Sequence, residues 1–230
     1  MAPPVMKYAP NSKVDTDARR TVQRLVAKIK SSTDELYEQS RLVFVITAPE
    51  IHAPGAEVGL VSCDVKLLPS DDGATADTAI RMSGGLRSFR GKDVLPNIEV
   101  SIGLVNESWT LSALTFRLYD LVRHELEHAR QHSSGAMTYE YEGAHAAWDV
   151  PKSVVDYYLD PLEVEAHVMG QHMYAKKKHF ALRNVLAIKA QRLKMNMVHS
   201  RVPKREAEDV AARILGAWIA YAELRVPKAM

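Results

Sequence analysis

Cysteine is nearly absent from this chain. Cys63 is the single one in 230 residues, so no intrachain disulfide can form and a Cys-rich zinc cluster is excluded. A chain built that way suits a reducing compartment. Long apolar runs are also missing. The longest, LVFVITA at 42–48 and ILGAWIAYA at 214–222, fall well short of the roughly 20 residues that cross a bilayer as a helix. The opening MAPPVMKYAPNSK has no apolar stretch of the kind found in a standard signal peptide. The expectation is a soluble protein with no membrane partner, cytoplasmic, or in the host cytoplasm or virion if viral.

Acidic residues are absent from one long segment. No Asp or Glu occurs between Ala166 and Arg205, a stretch that carries ten Lys and Arg. The rest of the chain holds 20 basic against 28 acidic residues, so an overall charge of +2 conceals a strong asymmetry. KKKHFALRNVLAIKAQRLKMN (176–196) therefore invites a nucleic acid or another polyanion. Against that, Phe180, Leu182, Val185, Leu186, Ile188 and Leu193 give the same segment an apolar face that packs, and charge runs are most often solvated surface.

Apolar residues make up 47% and charged residues 25%, ordinary for a globular protein. Residues 1–13 are Pro-rich and read as a loose terminus. Val22, Leu25, Val26, Ile29 and Leu36 recur at helical spacing over 15–40, with a break near SST (31–33) where Ser or Thr caps a new start. RLVFVIT (41–47) reads as a buried strand, 57–68 as a second and TAIRMSG (78–84) as a third. The following glycines and SGGLRSFRG (83–91) read as a flexible loop, since they match no Walker pattern. NIEVSIGLV (97–105) alternates as a half-exposed edge strand. Beyond Ser108 the stripe Leu111, Leu114, Leu118, Leu121, Val122 and Leu126 predicts a helix with Gly135 as its C-cap. Residues 136–160 read as an irregular Tyr-rich connection. Asp160 before Pro161 signals a helix start, with a helical pattern, straight or bent, running on towards 200. Pro203 separates a last helix over 205–225. The expected fold class is α+β, a small mixed β-sheet with helices, in one domain over 1–230.

The chemistry sits in LVRHELEHARQ (121–131). On a helix, residues four apart share a face, so His124 and His128 can offer imidazole nitrogens to one ion. Glu125, about 100° round, can reach a metal-bound water without ligating the metal. The division of labour suits hydrolysis, because zinc acidifies its water and a nearby carboxylate takes the proton. HExxH is a specific pattern. Three protein ligands are usual at catalytic zinc, and Arg130 to Ser134 supply no further one; His132 lies too far round. The better source is YYLDPLEVEAHVMG (157–170). Asp120, one turn before His124, is a candidate partner for its other ring nitrogen. His145, His172, His179 and His199 show no paired spacing for a second metal.

HExxH followed some 35 residues later by a helix bearing Glu-x-Glu-Ala resembles the gluzincin branch of the zincin metallopeptidases. It is particularly similar to short phage or bacterial HExxH proteins whose second motif is Pro-x-Glu-x-x-Ala. The resemblance covers about 95–175. It implies a zincin-like domain with an active-site HExxH helix, a Glu-bearing helix and, here, a basic helical extension over about 176–230. It implies a zinc-dependent hydrolase of peptide bonds, with His124 and His128 as zinc ligands and Glu125 as general base. The third ligand is Glu163, two after Pro161, or Glu165, next to Ala166; Glu163 is the closer match. Tyr158, seven before Glu165, is the tyrosine that would stabilise an oxyanion, with Tyr157 and His167 as further candidates. An edge strand commonly pairs with the substrate backbone in such enzymes, and NIEVSIG is the segment expected to do so. The non-enzymatic alternative is a zincin-like structural or interaction module, in a virion or on nucleic acid, using the basic helix.

Overall fold

The computed structural model describes residues 13–47, 58–70, 78–87, 95–134 and 152–226. They fall into two compact units, one before and one after the segment 135–151. Expectations for 1–12, for Gly135 as a cap and for His145 lie outside the described residues.

The first unit is α+β. Helix α1 (Lys13–Ser31) and α2 (Thr33–Gln39) lead into strand β1 (Arg41–Thr47), β2 (Leu60–Leu68), β3 (Ile80–Arg87) and β4 (Asn97–Val105), followed by α3 (Leu111–Ser133). The break between α1 and α2 falls at Ser32, as the SST triplet predicts, but no side chain caps α2. The Ser31 and Thr33 hydroxyls instead donate back to carbonyls of the preceding turn.

The sheet order is β1-β2-β4-β3, with β2 and β4 parallel and the outer pairs antiparallel. Two expectations change here. β4 is an interior strand, and β3 is an edge of the described sheet. Strand pairing also runs through Gly84 and Gly85 to Arg87, so the first part of the expected glycine loop is strand. β1 is half-buried rather than buried, its Val43 and Val45 facing solvent. The inner face carries Leu42, Phe44, Val61, Val65, Ile98, Val100 and Ile102, all buried. Each Å² of apolar surface that this layer removes from water contributes about 25 cal/mol to stability. Helix α3 packs on α1 and on β3, burying Leu114, Leu118, Val122 and Leu126. The Thr110 hydroxyl accepts from the Ala113 N–H to cap it, and Arg117 donates to the Ile80 carbonyl of β3.

The second unit is helical: α4 (Lys152–Leu159), α5 (Pro161–Lys178), α6 (Leu182–His199) and α7 (Lys204–Arg225). The connection read as irregular is thus helical over Lys152–Leu159. The Asp160 carboxylate accepts from the Leu162 N–H at 2.8 Å and the Glu163 N–H at 3.4 Å, with Pro161 at the first helical position. The helical pattern towards 200 is interrupted at His179, which adopts φ 57° and ends α5 before α6 resumes it. Trp218, fully buried, sits in an apolar core with Val168, Leu182, Leu186 and Ile214. No helix among the described residues is long and apolar enough to cross a membrane.

Candidate metal centre

Helix α3 turns His124, Glu125 and His128 inward. All three are buried, an uncommon state for polar side chains without a shared task. The Nε2 atoms of His124 and His128 stand 3.0 Å apart, with the rings nearly perpendicular. Tetrahedral ligation at a zinc–nitrogen distance of about 2.0–2.1 Å requires donor atoms roughly 3.3 Å apart, so the spacing fits. His128 Nδ1–H donates to the Gln131 side-chain carbonyl oxygen at 2.8 Å. With Nδ1 carrying the proton, the neutral ring keeps its lone pair on Nε2. Gln131, fully buried, was not singled out from sequence. Its position three after His128 on one helix is the signal that could have found it.

A buried ion network steadies the helix from behind. Arg123, completely buried, donates from Nε to Asp15 Oδ1 of α1 at 2.8 Å and from Nη1 to Glu127 Oε2 at 2.5 Å. Arg130 also pairs with Glu127. The residue immediately before His124 is therefore tied to α1.

On α5, Glu163 is 1% exposed and occupies the first turn. His167, one turn on, brings Nε2 to 3.7 Å from Glu163 Oε2. The His167 ring is stacked on Tyr158 with centroids 4.9 Å apart, meets Tyr157 edge-on and tilts against Trp218. Tyr158 thus lies within this aromatic cluster, and also meets Trp218 edge-on. Glu165 is engaged elsewhere: it accepts from the Tyr221 hydroxyl of α7 at 2.5 Å.

Among the described residues, His124, His128 and Glu163 form a group that could hold a metal ion. Each offers one ligand atom, and these atoms lie within 4.8 Å of one another. Two imidazoles and one carboxylate are a donor set suited to a borderline divalent ion. Glu165, His132, His172, His179 and His199 are not in that group. His199 Nδ1 pairs with the Met195 carbonyl oxygen.

Two other sequence features carry less. The basic helix α6 has some of its charge met by α7, through Arg183–Glu223 and Lys194–Glu208. Cys63 is buried on the inner face of β2, and burial with Asp64 alongside pushes its thiol up to about 12. A thiol held protonated at neutral pH is a poor nucleophile. Comparison with family models, with curated proteins and with solved structures finds no match to this chain.

Proposed function

We propose that the protein is a zinc-dependent peptidase of zincin-like architecture. The observation that carries this reading is the buried group His124, His128 and Glu163, with Glu125 buried beside the first histidine and outside the ligand set. Zinc held there would acidify a coordinated water and polarise the scissile carbonyl. Glu125 takes the proton from the water and passes it to the leaving amine. Gln131 holds the His128 ring in the ligating tautomer. The strand that would pair with an extended substrate is β3, which lies at the sheet edge and against α3, in place of β4.

Chelation tests the reading. Hydrolysis of an unfolded protein substrate is expected to stop on treatment with 1,10-phenanthroline and to return on adding stoichiometric Zn²⁺. Hydrolysis that persists after complete metal removal would refute it.

A further inference from the structure

Gly84 lies on the inner face of β3, between Met82 and Leu86, and pairs with Val100 of β4. A Cβ built there would stand 2.8 Å from Glu125 Oε1, 2.9 Å from Leu121 Cδ1 and 3.0 Å from Glu125 Cγ. Such separations do not occur in packed proteins, so any side chain at this position must displace the Glu125 carboxylate, the Leu121 methyl or the strand. The neighbouring Gly85 points to the opposite face, and a Cβ there would meet nothing within 4 Å. Neither glycine has a left-handed backbone, so conformational freedom does not explain Gly84. Glycine inside a strand is destabilising relative to alanine and often marks a close approach. The approaching group here is the carboxylate of Glu125.

We propose that Gly84 is a positioning residue: its missing side chain sets where the Glu125 carboxylate rests. The consequence for turnover depends on Glu125 being the general base proposed above. Helix α3 cannot simply lift away, because Arg117 ties it to the Ile80 carbonyl at the start of the same strand. The group most able to yield is the flexible end of Glu125. A shift on the order of 1 Å at a reacting group costs roughly 100-fold in rate, and the three atoms nearest the added methyl belong to Glu125 and Leu121, not to either histidine.

Gly84→Ala tests this, read in four ways. Zn²⁺ should bind with unchanged stoichiometry and an affinity within about threefold of wild type. KM should stay within about threefold while kcat falls about 100-fold. Adding Gly84→Ala to Glu125→Gln should cause no further loss of turnover. The crystal structure of the variant should show the carboxylate displaced, whereas Gly85→Ala leaves it in place. Wild-type kcat in Gly84→Ala, or a carboxylate that has not moved, overturns the proposal. Should the zinc-loaded wild type hydrolyse no peptide at all, the peptidase reading falls, and the crystallographic displacement still decides what Gly84 does.

Discussion

Replacing Glu125 with Gln is expected to cut peptide hydrolysis at least about 100-fold while leaving metal content at the wild-type level. The amide matches the carboxylate in shape, so the close approach to Gly84 survives. What disappears is the ability to accept a proton. General-base assistance is worth about 10²–10⁴-fold, so kcat should fall by at least two orders of magnitude. Metal binding should persist because Glu125 is not one of the three grouped ligands. Turnover by metal analysis and initial rates on one preparation separates the two effects. Unchanged kcat would remove Glu125 from the mechanism; loss of metal together with activity would show that it is a ligand instead.

The second large effect concerns stability. Arg123 is completely buried between Asp15 and the Glu127 carboxylate, themselves 3% and 2% exposed. Arg123→Ala leaves Asp15 a buried carboxylate that has lost this guanidinium, and deprives Glu127 of one of its two cationic contacts. Breaking a buried ion pair by removing one partner costs about 3–5 kcal/mol. That is a large share of the total stability of an ordinary domain. Urea unfolding followed by circular dichroism should show a lower midpoint with a similar slope. Arg123→Met combined with Asp15→Asn should recover part of the loss, since the charges are then removed together. A decrease below about 1 kcal/mol for Arg123→Ala would mean that water reaches the network. The function linked to this pairing is the anchoring of the residue next to His124.

How much of this was legible from sequence differs by residue. The HExxH helix was readable because spacing, apolar stripe and flanking strands are local. So was the Asp160-Pro161 start of α5. Interior or edge status of a strand was not, since it is decided by pairing partners distant in sequence. β4 alternates as an edge strand would, yet β2 and β3 flank it. Glycine is a poor strand former, which is why Gly84–Arg87 read as loop. Glu163 and Glu165 lie two apart on a helix and point to different sides. The partner that engages Glu165, Tyr221, is 56 residues away, beyond any local pattern. Asp15 and Arg123 are 108 apart, and nothing in either segment announces their pairing. His167 illustrates the converse: its helix face was visible in sequence, but its aromatic enclosure by Tyr158 and Trp218 depends on α4 and α7.

The metal centre itself is tested by quantitative metal analysis of the purified chain, equilibrated with Zn²⁺ and desalted, beside His128→Ala and Glu163→Gln. About one equivalent of zinc is expected in the wild type, with affinity weakened by at least 10–100-fold in each variant. A wild type that retains no metal, or two variants that bind as tightly as the wild type, would mean that these three residues do not hold a metal ion.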